Sequence, residues 1–200
     1  MKKFEVKITG ITPYMQHRMD TGALIDYEEK ALQSEEVSKK TKKSKKESKT
    51  PEEKADLVAY KNEKGEYYIP SEHFEQCFIK AGRFVKAKIG GTNMSLKTLV
   101  AAEWTIFPEH IPIKKYDEVD VRTGVNQRTG ARITTYRPRW NEWECKFILF
   151  VDDEDNDFPQ ATVEKIISAG GRLQGIGSYR PEHTGRFGRF KATLNEIKSK

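Results

Sequence analysis

WECKFILFV, residues 143–151, decides the fold of this chain. Trp143, Cys145, Phe147, Leu149 and Val151 alternate along it and share one face of an extended strand. Ile148 and Phe150 make the opposite face partly apolar too, which places the strand in the middle of a sheet. Working outward, residues 3–12 alternate Phe4, Val6 and Ile8 against Lys3, Glu5 and Lys7, the pattern of a half-buried strand. LVAAEWTIF, residues 99–107, reads as another strand, with Val100, Ala102, Trp104 and Ile106 on one face. In residues 185–194, Gly188, Phe190, Ala192 and Leu194 oppose Phe187, Arg189 and Lys191 as a last strand.

Two helical patterns separate these strands. Phe74, Cys77, Phe78, Ala81 and Val85 recur at helical spacing behind Ser71, which reads as an N-cap, and predict a helix over residues 71–86. Pro159 opens a second helix with the stripe Val163, Ile166 and Ile167, and Gly170-Gly171 is expected to stop it. The resulting order is βαββαβ, an α+β, ferredoxin-like (RRM-like) fold in a single domain spanning residues 1–200. Helices on one face leave the other face of such a sheet free.

Three segments interrupt this order. Residues 20–56, centred on SKKTKKSKKESKTPEEK, hold too little apolar surface to offset their ordering entropy and read as a flexible charged insertion. Residues 57–70 carry a hairpin signal around Asn62 and Gly65. Residues 111–140 read as a long, thumb-like hairpin with a Gly/Asn/Arg-rich tip. Residues 170–191 form a glycine-rich loop leading into the last strand, and the run Asp152 to Asp157 is a turn suited to a helix N-terminus.

Arginine is distributed unevenly. Of eleven, five lie between Arg122 and Arg139 and four between Arg172 and Arg189. Guanidinium suits phosphate and stacks on bases, and aromatic residues are interleaved in both clusters, so the pattern points to nucleic acid. The candidate contacts in the first cluster are Arg122, Arg128, Arg132, Tyr136, Arg137, Arg139 and Trp140. In the second they are Gly175, Gly177, Tyr179, Arg180, Gly185, Arg186, Phe187, Gly188, Arg189 and Lys191, where loop amides add anion contacts.

Other chemistries find less support. No GxxxxGK[ST] occurs, and Arg180 stands where GxGxxG needs glycine, which excludes phosphate-loop hydrolysis and dinucleotide binding. The histidines at 17, 73, 110 and 183 lack metal-ligand spacing, so neither metal nor cofactor is expected. His17, Asp20 and His183 are the candidates for catalysis, none with a placed partner. Cys77 and Cys145 are too few for a disulfide framework, and no leader or membrane span is read, so a cytoplasmic protein without a membrane partner is expected.

YIPSEHFEQCFIKAGR, residues 68–83, and GIGSYRPEHTGRFGRF, residues 175–190, resemble two segments of the RAMP superfamily of CRISPR effector proteins: the Pro-Ser-helix segment and the glycine-rich loop before the last strand. VNQRTGARITTYRPRWNEWECKF, residues 125–147, resembles segments of phage and prophage proteins. The resemblance is to backbone subunits, with an RRM-like palm and an inserted thumb. It implies Gly175, Gly177, Gly185 and Gly188 as the glycine loop, residues 114–139 as the thumb, and self-assembly along a guide RNA. The leading expectation is a non-catalytic protein holding single-stranded RNA or DNA. The alternatives are an assembly subunit whose arginines meet an acidic protein, and a metal-independent ribonuclease.

Overall fold

Phe4, Val6 and Ile8 are buried and Glu5 and Lys7 exposed, so the first strand, β1 (Lys2–Gly10), is sided as its alternation requires. The computed structural model describes residues 1–18, 49–89, 91–125, 130, 132–153 and 157–197. After β1 come β2 (Tyr14–Met15), α1 (Pro51–Leu57), β3 (Tyr68–Pro70), α2 (Ser71–Ala81), β4 (Lys86–Ile89), β5 (Thr92–Ser95) and α3 (Lys97–Glu103). Next are β6 (Trp104–Phe107), β7 (His110–Pro112), β8 (Glu118–Val125), β9 (Arg132–Trp140), β10 (Glu144–Val151), α4 (Gln160–Ala169) and β11 (Phe190–Glu196). Among the described residues, the chain is a mixed α/β protein of four helices and antiparallel sheets.

The main sheet runs β11-β1-β10-β6, with every neighbouring pair antiparallel. Its register sets Phe4 opposite Leu149, Val6 opposite Phe147 and Ile8 opposite Cys145, which gathers the buried side chains of the two central strands on one face. Phe74, Cys77 and Phe78 of α2 and Val163, Ile166 and Ile167 of α4 complete that core. Phe74 lies 5.0 Å, centroid to centroid, from Phe147 and 5.6 Å from Phe190. The opposite face carries exposed Glu5, Lys7, Lys146 and Phe107. A second sheet, β2-β9-β8, holds the long hairpin, and β3-β7 and β4-β5 form smaller pairs. No helix among the described residues is long and apolar enough to cross a membrane.

Several local expectations are corrected. Residues 99–103 are helical, and the strand begins at Trp104, because Leu96 and Val100 are buried at i, i+4 spacing while Ala102 is exposed. Pro70, not Ser71, occupies the N-cap of α2, and Ser71 donates its N–H to Glu109 O. That helix ends at Ala81 in a short 3₁₀ turn, and β4-β5 follows. Gly170-Gly171 does not stop α4: the chain continues as a π-helical turn (Gly170–Gln174) because these residues pack against Cys77 and Phe78 and against the Phe190 carbonyl. The last strand begins at Phe190.

Residues 50–56, read from composition as the end of a flexible charged insertion, belong instead to a capped helix. Thr50 and Glu53 form a reciprocal capping box that starts α1, and Ala55 is buried. Expectations for residues 20–48 and for the hairpin tip at 126–129 fall outside the described residues.

Candidate nucleic-acid interface

The hairpin sorts its side chains by the two-residue period of its strands. Arg122 faces Thr135, Asp120 faces Arg137 and Glu118 faces Arg139, so these six residues share one face. Asp120 accepts two hydrogen bonds from Arg122, at 2.6 and 3.1 Å, and Glu118 pairs with Arg139 at 3.1 Å. Tyr136 and Trp140 take the other face. Lys54 of α1 lies 4.6 Å over the Tyr136 ring, and Trp140 is fully buried, donating its indole N–H to Lys114 O at 2.7 Å. Trp140 is therefore a core residue and not a stacking platform, correcting its place among the contacts.

The glycine-rich loop closes onto this arginine face. Gly188, at φ +69°, sits where a Cβ would run into the Ile176 carbonyl, and its amide donates to Pro13 O at 2.8 Å. Ile176 donates to Gly188 O, Ser178 to Met15 O, Gly185 to Arg180 O and Phe187 to Tyr179 O. The amides of Gly175, Gly185 and Gly188 are thus engaged within the protein, and these glycines shape the loop instead of presenting N–H groups to an anion.

The two arginine regions meet at this point. Arg122 and Arg137 stand 4.7 and 4.8 Å from the Tyr179 ring, and Arg122 and Arg139 stand 5.2 and 5.6 Å from Phe187. Nε and Nη1 of Arg137 are buried and hydrogen-bond to no described residue, and Arg137 has no ion pair among the described residues.

Arg137 lines a cleft of about 620 Å³ between the loop and α2. Around it stand His17, Tyr60, His73, Lys80, Tyr179, Arg180 and His183, with Glu72 and Glu182. Glu182 bridges Lys80 at 2.6 Å and Arg180 at 2.8 Å, and Arg180 also donates to Gly177 O at 3.0 Å. Burial works against the Glu182 carboxylate, but the hydrogen bonds from Lys80 and Arg180 outweigh it and hold its pKa below the usual range. Burial and then the Arg180 charge lower His73 to about 4, and burial and then Arg137 lower His17, so both imidazoles are neutral at pH 7.

Of the residues expected to act together, the structure gathers Arg122, Arg137, Arg139, Gly175, Gly177, Tyr179, Arg180 and Phe187, with His17 and His183 in the same cleft. Arg132 is exposed where β9 begins and Arg186 is exposed on the loop. Arg189 and Lys191 line a different groove, beside β11. Arg128 and Asp20 lie outside the described residues. Sequence reasoning missed Glu72, His73, Gln76 and Lys80. Their spacing marks a polar stripe beside the apolar stripe of α2, and that is the signal that points to them. No protein-family model matches the chain, and no curated protein matches it.

Proposed function

We propose that this chain is a non-catalytic, single-stranded nucleic-acid-binding protein on a ferredoxin-like (RRM-like) core, related to the RAMP superfamily. The sheet order β11-β1-β10-β6, antiparallel throughout, with α2 and α4 against one face, supports the fold reading. The kinship rests on the two resembling stretches at residues 68–83 and 175–190. The observation that carries the function is Arg137. A permanent cation holds two shielded N–H donors that meet no acceptor among the described residues, in a cleft that also presents Tyr60 and Tyr179. Such donors suit an anionic oxygen, and a phosphate on Arg137 leaves the attached base beside a ring.

Fluorescence anisotropy with single-stranded RNA and DNA oligonucleotides tests the proposal. Contacts from Lys80, Arg137 and Arg180 predict a salt slope of about −2, a roughly 20-fold loss of affinity between about 50 and about 200 mM salt. Arg137→Ala weakens binding about tenfold while the variant still folds. Absence of binding by the wild-type protein at about 50 mM salt overturns the reading.

The meeting of His17, His73 and His183 in one cleft favours a second reading, metal-independent cleavage of RNA. Product formation that disappears in His17→Ala or His183→Ala supports it. A substrate left intact by the wild-type protein removes it.

A further inference from the structure

Arg172, Arg189 and Lys191, three exposed cations of the glycine-rich region, do not belong to the cleft. They line a second groove, of about 620 Å³, between α4 and β11, opposed by the single carboxylate of Glu164. None of the three has an ion pair among the described residues.

β11 is an edge strand, bonded among the described residues to β1 alone. Ile11 N–H donates to Arg189 O and Ile197 N–H to Lys3 O, which fixes the alternation of the ladder. The backbone groups of Ala192 and Leu194 therefore point away from β1, along the open edge. On the helix side the groove offers the half-buried Ala192 and Leu194, and the opposite side of the strand carries Lys191. Phe190, the aromatic residue of the groove, is 3% exposed, so no ring is presented for a base to stack on.

We propose that this edge is a docking site for an extended acidic segment of a partner protein, added to the sheet as a further strand. Its backbone pairs with Ala192 and Leu194. Its side chains alternate: apolar ones enter between β11 and α4 against Ala192 and Leu194, and carboxylates turn toward Arg189 and Lys191. Charge complementarity selects the occupant, since three cations against one acid repel a basic strand. The chain's own acidic run suits the role poorly. Asp153 is tied to Lys2 at 2.5 Å and to the Phe158 amide at 3.1 Å, and Phe158 is buried.

The probe is a fluorescein-labelled decapeptide of alternating valine and glutamate, followed by anisotropy on the full chain, with the valine-lysine peptide and oligothymidylate as controls. Ala192→Pro removes an outward amide while leaving the β1 ladder intact, and Arg189→Glu with Lys191→Glu reverses the charge without touching the backbone. Each change weakens the acidic peptide at least about tenfold, and Ala192→Pro leaves oligothymidylate affinity unchanged, which separates this site from the cleft. The charge reversal alone decides the matter if Ala192→Pro fails to fold. No saturable binding of the acidic peptide by about 1 mM, equal binding of the basic peptide, or unchanged binding by the charge-reversal variant overturns the proposal. So does loss of oligothymidylate binding in Ala192→Pro, which assigns the edge to nucleic acid. Self-association abolished by Ala192→Pro assigns it to a second copy of the chain and overturns it too.

Discussion

The guanidinium of Arg137 lies 4.8 Å from the centre of the Tyr179 ring, joining the β8-β9 hairpin to a loop more than forty residues later in the chain. Tyr179 itself holds φ +54° and remains 41% exposed, so the backbone accepts a strained conformation at a residue that still reaches solvent. The contact holds the loop in place while Tyr179 still lines the cleft.

A double-mutant cycle of Arg137→Ala and Tyr179→Ala, read by urea denaturation, is expected to give a coupling of about 0.5–1 kcal/mol. Tyr179→Phe keeps the ring and preserves most of it. Additivity of the two alanine substitutions within error contradicts a loop clamped by this pair.

Gly188 and Gly91 separate backbone strain from collision. Both adopt positive φ, +69° and +85°, but a Cβ on Gly91 meets nothing, whereas one on Gly188 meets the Ile176 carbonyl. Gly91→Ala is expected to cost about 1 kcal/mol, the conformational term alone. Gly188→Ala adds the displacement of a packed carbonyl and is expected to cost about 3 kcal/mol. Equal losses in chemical denaturation contradict this account of the loop.

Periodicity made much of this architecture legible. Phe4, Val6 and Ile8, the face shared by Cys145, Phe147 and Leu149, and the stripes Phe74-Cys77-Phe78 and Val163-Ile166-Ile167 are all buried as their spacing requires. It failed where two periods fit the same letters. Val100 and Ala102 satisfy a strand template, but Leu96 and Val100 satisfy a helical one, and burial of Leu96 selects the helix. At the site, Tyr136, Arg137, Arg139 and Trp140 read as one mixed surface, yet a strand sends odd and even positions to opposite faces. That division was available from the alternation. The approach of Tyr179 and Phe187 to Arg122 and Arg139 was not, because it depends on how the loop is bonded to Pro13 and Met15, a tertiary relation that no local pattern encodes.

The division of the hairpin faces predicts that Trp140 matters for stability and not for binding. Trp140→Phe removes the indole donor to the Lys114 carbonyl and opens space beside Tyr14, whose ring lies 5.3 Å away, at a loss of about 2 kcal/mol. Oligonucleotide affinity of the folded variant is expected to stay within about twofold of wild type, well under the change expected at a stacking residue. A tenfold weakening without loss of stability places Trp140 at the interface after all.

Acid sensitivity follows from His73. Its native pKa, near 4, lies below the 6.5 of the free side chain, with burial the larger cause and the Arg180 charge the smaller. Above pH 6.5 both states are neutral at this residue and its contribution to stability is complete. As pH falls from 6.5 toward 4, the unfolded chain takes up the proton first, so stability is lost across that window and levels off below it. The loss attributable to His73 is on the order of 3 kcal/mol. His17, lowered in the same direction, adds to the slope. Asp56, Asp117 and Glu182, also lowered, contribute losses as pH falls below the ordinary carboxylate range. Urea denaturation at pH 7.5, 6.0 and 5.0 samples the histidine window above the range of these lowered carboxylates. Within it His17 adds to the loss and Glu75, raised by burial, opposes it, so the His73 share is read from the variant. His73→Gln is expected to lose much less stability over that interval than wild type, and a slope as steep as wild type in His73→Gln assigns the acid sensitivity to another group.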